Sequence, residues 1–309
     1  MKYFVQIALI FLLINCKKDD KKRSGFVSNK VIILVIDGPR YSETWGSDFK
    51  QYIPRMKELS SEGTIYTNFY NDGGTYTNAG HTAITTGVYQ SINNSGLEQP
   101  HYPSIFQYYN EQVSKTEFSN WIVSSKDKLE ILSDCNIDPY NGNFNPKTNC
   151  GINGNGTGYR SDATTFEELK RILINEKPEL TLVNLKEPDA SGHSGDWNSY
   201  INGIRQSDEY MYKIFNFINS YHSYKGKTTL FVTNDHGRHL DGIYDGFKSH
   251  GDGCEGCRHI NLFVSGPGIK KDTVISQRRE LRDIPATISS ILNFEMKYGD
   301  GQVMTEIFD

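Results

Sequence analysis

The hydrophobic pattern sets the frame. Val31-Ile-Ile-Leu-Val-Ile36 is an unbroken, largely β-branched run, the pattern of a strand buried on both faces. Similar short apolar runs stand at Trp121–Val123, Leu180–Leu185, Thr228–Val232 and Ile260–Val264. Between them apolar residues recur at helical spacing, as in Phe166–Ile172 and Tyr210–Ile218. Strands alternating with helices predict an α/β fold with a mostly parallel central sheet sandwiched between helices. No internal repeat and no Pro-, Gly- or Ser-rich linker divides residues 29–309, which read as one catalytic domain. Residues 135–160, dense in Asn and Gly, read as an excursion from its core.

The start of the chain follows another logic. Lys2 precedes an apolar run from Tyr3 to Ile14, too short to span a bilayer comfortably and suited to a secretory signal over residues 1–15. Cys16, directly after it, resembles the lipidated cysteine of a bacterial lipobox, with ordinary cleavage near the same place as the alternative. Residues 16–28, which contain Lys17-Lys-Asp-Asp-Lys-Lys-Arg23, then form a solvated tether. The expected location is the periplasm or cell surface, with the membrane reached through that lipid anchor. Export gives the other four cysteines an oxidising setting. A Cys135–Cys150 disulfide would close the Asn/Gly-rich stretch and contribute about 3 kcal/mol through chain entropy. Cys254-Glu-Gly-Cys257 fits a short disulfide, half of a zinc site or a redox pair. With no second CxxC in the chain, the disulfide is the favoured reading.

Composition narrows the functional classes. Lys and Arg total 33 against 37 Asp and Glu in 309 residues, a net charge of -4. A nucleic-acid partner, which would need a basic surplus or stripe, is not implied. Hydrophobic residues at 37% and charged ones at 23% exclude a disordered chain and allow a sizeable core.

Candidate chemistry gathers where strands end. The first strand stops at Asp37-Gly38. The one at Leu180–Leu185 runs into Glu187-Pro-Asp189-Ala-Ser-Gly-His193, and the one ending at Val232 into Asn234-Asp235-His236-Gly237, with His250-Gly251 soon after. Carboxyl ends of parallel strands are where α/β sheets bind ligands. One such Asp alone usually caps a helix, and one such His is usually a surface residue. Three strands delivering Asp and His to one edge make a metal site, with donors suited to Zn²⁺. Gly73-Gly-Thr-Tyr-Thr77-Asn-Ala-Gly80-His81 adds a Gly-rich turn leading into a helix, with Thr77 at its N-terminus. There the helix dipole favours an anion or an alkoxide, and an adjacent metal can remove the hydroxyl proton. The bland alternative is a Thr75 or Thr77 that merely caps that helix.

These motifs resemble the alkaline phosphatase superfamily, in particular its nucleotide pyrophosphatase/phosphodiesterase-like and single-Thr alkaline phosphatase branches. Glu187–His193 and Asp235-His236-Gly237 look like its metal motifs, Thr77-Asn-Ala-Gly80-His81 like its nucleophile turn, and Arg282–Ile288 like its closing helix. The resemblance implies Thr77 as nucleophile and two Zn²⁺, or other divalent metals. One would be held by Asp189, His193 and His250, the other by Asp37, Asp235, His236 and the Thr77 oxygen. His250 is the least secure ligand, with His239 and His259 as neighbouring competitors, and His81 reads as structural. Formylglycine sulfatases place a Cys or Ser in a Cys/Ser-x-Pro-x-Arg setting, which no cysteine here has. A mutase insert and the membrane spans of envelope phosphotransferases are likewise missing from the sequence.

The resemblance further implies that Lys126 and Lys128 face the substrate's non-bridging oxygens, with Asn94 (or Asn93) capping the phosphate. The expected activity is a metal-dependent phosphomonoesterase acting on small phosphate esters through a Thr phospho-enzyme. The alternatives are a phosphodiesterase or nucleotide pyrophosphatase and, from another class, a non-catalytic metal-binding envelope lipoprotein.

Overall fold

The computed structural model describes residues 28–114 and 116–309; the expected leader, Cys16 and the tether up to residue 27 lie outside the described residues. The first half carries β1 (Lys30–Ile36), α1 (Pro54–Glu58), β2 (Thr64–Tyr70), α2 (Thr77–Thr86), α3 (Ile105–Gln112), β3 (Asn120–Ser124) and β4 (Lys147–Cys150). The second carries α4 (Asp162–Asn175), β5 (Leu180–Leu185), α5 (Asp189–His193), α6 (Trp197–Ser220), β6 (Thr228–Thr233), α7 (Glu255–Arg258), β7 (His259–Ser265), β8 (Thr273–Ile275), β9 (Arg279–Glu280) and α8 (Asp283–Leu292).

One sheet runs through the molecule in the order β4-β3-β5-β1-β6-β7-β2-β8, with β9 also paired to β2. Every pairing is parallel except those of β7 with β6 and β2. The period-2 alternation of a strand explains why β1 is apolar at every position. Val31, Ile33 and Val35 enter a core with Ala83 and Ile84 of α2, Ile105 of α3 and Ile288 of α8. Ile32, Leu34 and Ile36 enter the opposite core, with Leu169 of α4 and Ile204 and Met211 of α6. The fold is therefore the expected α/β sandwich. Because β5, β1 and β6 are parallel neighbours, their carboxyl ends open on one edge, and β3 joins them beside β5.

Two expectations change. The Asn/Gly-rich stretch is not wholly outside the core: β4 lies within it and extends the sheet parallel to β3. The expected disulfides are also corrected, since Cys135, Cys150, Cys254 and Cys257 are free thiols. Cys135 Sγ faces Ile137 O at 3.9 Å and Cys150 Sγ faces Ile122 O at 3.8 Å. Each is buried in local surroundings of its own, and the β3–β4 ladder, not a covalent bridge, closes the stretch. Cys254 and Cys257 flank one turn of α7 as separate thiols.

Candidate active site

Asp37 leaves β1 fully buried, and its Oδ2 accepts from Asn184 Nδ2 at 3.1 Å. Asp235 follows β6, and its Oδ1 accepts from the Gly38 N–H at 3.3 Å. His236 Nδ1 lies 2.9 Å from Gly237 O, which fixes its proton there and turns the Nε2 lone pair toward Asp37 Oδ1 at 3.5 Å and Asp235 Oδ2 at 3.4 Å. Burial first, and the neighbouring His250 next, push the His236 pKa down to about 3, so the ring is neutral at pH 7. Asp37 Oδ1, Asp235 Oδ2 and His236 Nε2 are all buried without a hydrogen-bond partner among the described residues. Three such acceptors facing one another are costly unless a cation lies among them. Two carboxylates and a neutral imidazole are the donor set of a divalent metal such as Zn²⁺, and this cluster fits one.

A second cluster adjoins the first. Asp189 opens α5 and His193 stands four residues on, placing both on one helical face. Asp189 Oδ1 lies 3.2 Å from His193 Nε2 and from His250 Nε2, and those two nitrogens are 3.2 Å apart. His250 stacks on His236 with ring centroids 3.7 Å apart, and its Nδ1 is fixed by Thr75 O at 2.8 Å. The competitors fall elsewhere: His259 is stacked between Tyr41 and Tyr70, and His239 belongs to a different cluster.

Thr77 is the first residue of α2 and is buried. Lys126, fully buried beyond the end of β3, donates to Thr77 Oγ1 at 3.0 Å. It also ion-pairs with Asp37 Oδ2 at 2.9 Å and Asp189 Oδ2 at 2.7 Å. Burial alone would lower its pKa, but the carboxylates of Asp189, Asp37 and Asp235 outweigh that and raise it, so the ammonium stays charged. Gly80 has a packing reason to be glycine: a Cβ there would stand 2.4 Å from Asp235 O, blocking the approach of α2 to the end of β6. His81 ties α2 to β5, with Nδ1 2.9 Å from Thr77 O and Nε2 3.1 Å from Asn184 Nδ2.

Lys128 lies two residues past Lys126, with its Nζ 2.8 Å from Asn94 Oδ1. Burial first, then repulsion from Lys126, lower its pKa to about 8. Asn94 Oδ1 also accepts from the Asn78 N–H at 3.1 Å, so this exposed side chain joins the cationic rim to the α2 N-terminus.

The sequence reading overlooked two residues. Asn184 is the one polar, non-β-branched residue in the apolar β5 run, and it holds Asp37 and His81 together. Arg238, fully buried, donates Nη1 to Asp189 Oδ1 at 2.5 Å, while its Nη2 lies 3.3 Å from His193 Nδ1. Its signal was position, one residue beyond Asp235-His236-Gly237.

A mostly parallel sandwich with Asp, His and Thr converging at one strand edge defines a hydrolase of the alkaline phosphatase superfamily. The superfamily is metal-dependent, in keeping with the two clusters. The chain belongs to the Sulfatase family, whose model matches residues 29–294. No curated protein matches its sequence. Among solved structures it is similar to murine ectonucleotide pyrophosphatase/phosphodiesterase 5 (13% identity, 91% of this chain and 100% of that one, TM-score 0.67). It is also similar to the lipoteichoic acid synthase LtaP of Listeria monocytogenes (12% identity, 93% and 77%, TM-score 0.66). A third similar structure is an alkaline phosphatase superfamily protein from Vibrio parahaemolyticus (18% identity, 89% and 69%, TM-score 0.61). At these identities the likeness is one of fold.

Proposed function

We propose that the protein is a phosphomonoesterase that works through a phospho-Thr77 intermediate. The observation that carries the reading is the Thr77 hydroxyl itself, at the N-terminus of α2 and 3.0 Å from a buried, charged Lys126. That ammonium and the helix dipole both favour the alkoxide form. Thr77 Oγ attacks phosphorus, the P–O bond to the alcohol breaks, and a phosphothreonine remains. Water then cleaves the new P–O bond, releasing inorganic phosphate and restoring the hydroxyl.

Asp37, Asp235 and His236 would hold one divalent metal ion, and Asp189, His193 and His250 a second. Bound metals supply Lewis-acid polarisation of the phosphoryl group and lower the pKa of nearby hydroxyls. The chain's own residues position the rest: Asn184 and His81 fix Asp37 and the Thr77 turn, and Arg238 fixes Asp189.

Charge favours a monoester. Asp37, Asp189 and Asp235 stand against Lys126 and Arg238, leaving one net negative charge, which two divalent ions would turn into three positive. Lys128, mostly protonated at pH 7, makes that four positive; a dianionic monoester and the Thr77 alkoxide together leave a surplus of one, whereas a diester leaves two. The diesterase reading is supported by the similar fold of the murine pyrophosphatase/phosphodiesterase, and the family name adds sulfate esters to the test.

The experiment compares p-nitrophenyl phosphate, bis-p-nitrophenyl phosphate and p-nitrophenyl sulfate on zinc-loaded wild type, Thr77→Ala and Thr77→Ser. The expected result is preference for the phosphate monoester, abolished by Thr77→Ala and partly kept by Thr77→Ser. Turnover indifferent to Thr77→Ala, or preference for either other ester, overturns the reading.

A further inference from the structure

A cluster of metal-ligating side chains remains outside the active site. His239, Asp252, Cys254 and Cys257 each bring one ligand atom to within 4.8 Å of the others. We propose that these four residues form a separate structural zinc site, which pins the loop carrying His250.

The donors are matched to zinc. Two thiolates, one imidazole nitrogen and one carboxylate oxygen make a closed four-ligand set of the kind structural sites use. Side-chain rotation brings 4.8 Å down to tetrahedral edges of about 3.3–3.8 Å, as expected for zinc bonds of about 2.0–2.3 Å. The two cysteines flank one turn of α7, Cys254 at its N-cap and Cys257 buried within it, so both thiols face the same side.

His239 is the most telling member. It is 5% exposed, and its Nδ1 lies 3.0 Å from Asp245 Oδ1 and 3.3 Å from Ser249 Oγ. A carboxylate on one ring nitrogen is the usual support of a zinc-ligating histidine, because it leaves the other nitrogen's lone pair for the metal. That other nitrogen, Nε2, makes no hydrogen bond among the described residues, although Asp252 Oδ1 lies 3.2 Å away and out of line for one. A buried polar atom aimed into a group of thiols and a carboxylate points to a ligand at its focus.

Position supplies the purpose. The site joins the segment after β6, which carries Asp235 and His236, to the segment 250–257. The Gly237 N–H donates to Cys257 O at 2.8 Å, and a Cβ on Gly237 would stand 2.1 Å from Gly256 O. Within the joined loop, the Gly253 N–H donates to Thr75 Oγ1 at 3.1 Å, and His250 Nδ1 is held by Thr75 O. Zinc on the four residues therefore braces His250 and the turn before Thr77 from behind, without contact with substrate.

Cobalt distinguishes this site from the active centre, because none of Asp37, Asp189, His193, Asp235, His236 and His250 brings a sulfur. Reduced full-length protein stripped of metal is titrated with Co²⁺ and monitored for the near-ultraviolet thiolate-to-cobalt band. The expected result is a band that saturates within the three equivalents the chain can hold, survives Asp235→Asn and disappears in Cys257→Ser. As a check independent of variant folding, zinc should protect Cys254 of the wild type from iodoacetamide, and a chelator should remove that protection. A folded, reduced wild type with no thiolate band, Cys254 alkylation indifferent to zinc, or a Cys254–Cys257 disulfide in freshly purified protein overturns the proposal. Each of these readouts is independent of phosphatase activity.

Discussion

Replacing Lys128 by Ala tests charge selection where the structure isolates it. Lys126 is committed to Thr77, Asp37 and Asp189, so its loss should damage every substrate alike. Among the described residues Lys128 hydrogen-bonds to the neutral Asn94, whose Oδ1 also accepts from the Asn78 N–H at the start of α2. With its pKa at about 8, it is roughly 90% protonated at pH 7. A monoester carries one more negative charge than a diester, so the selectivity Lys128 confers equals its interaction with one extra charge. At about 4 Å and an effective dielectric of ~20 that is about 4 kcal/mol. Water entering the space left by the side chain, together with the nearby Lys126, recovers part of this. A loss of at least ~1.4 kcal/mol, or about tenfold, should survive. The assay is kcat/KM for p-nitrophenyl phosphate and its diester at pH 7, wild type against Lys128→Ala, read as the ratio of the two. The monoester-to-diester ratio should fall about tenfold or more, while Lys126→Ala lowers both values with little change in ratio. Equal losses in Lys128→Ala would refute the reasoning and favour the diesterase.

Other outcomes follow from the same geometry. The charged form of Lys128 exists below its pKa, so monoester kcat/KM should decline as pH rises through about 8, and Lys128→Arg should carry activity to higher pH; an unchanged profile in Lys128→Arg would count against it. Asp235→Asn should remove one zinc equivalent from the active centre by metal analysis and leave the thiolate-cobalt band intact; retention of all zinc would contradict the ligand assignment. Gly80→Ala places a methyl 2.4 Å from Asp235 O and should cost about 1–3 kcal/mol in thermal unfolding and about 100-fold in kcat/KM; an active variant of unchanged melting temperature would show that α2 need not approach so closely. Cys16→Ser should shift the protein from the membrane to the soluble fraction on cell fractionation; an unchanged membrane fraction would exclude the lipid anchor.

The central strands were legible because β-branched runs such as Val31–Ile36 encode burial on both faces locally, and β1, β5 and β6 appear where those runs stand. β2 escaped notice because Thr67 and Asn68 interrupt its apolar pattern at a register shift against β7, and β4 because its Lys-Thr-Asn-Cys sequence resembles a loop until β3 offers it an edge. The candidate Asp, His and Thr motifs were visible in sequence because α/β sheets bind ligands at the carboxyl ends of their strands, and strand ends are local signals. What they do together was not local. Arg238 and Asn184 orient Asp189 and Asp37 across more than 40 residues of chain, contacts that exist only once β1, β5 and β6 lie side by side. The cysteines show the limit most plainly. Spacing alone suggested a bridge between Cys254 and Cys257, but folding brings His239 and Asp252 to the same thiols, and a CxxC that lacks its second half in sequence gains it in space.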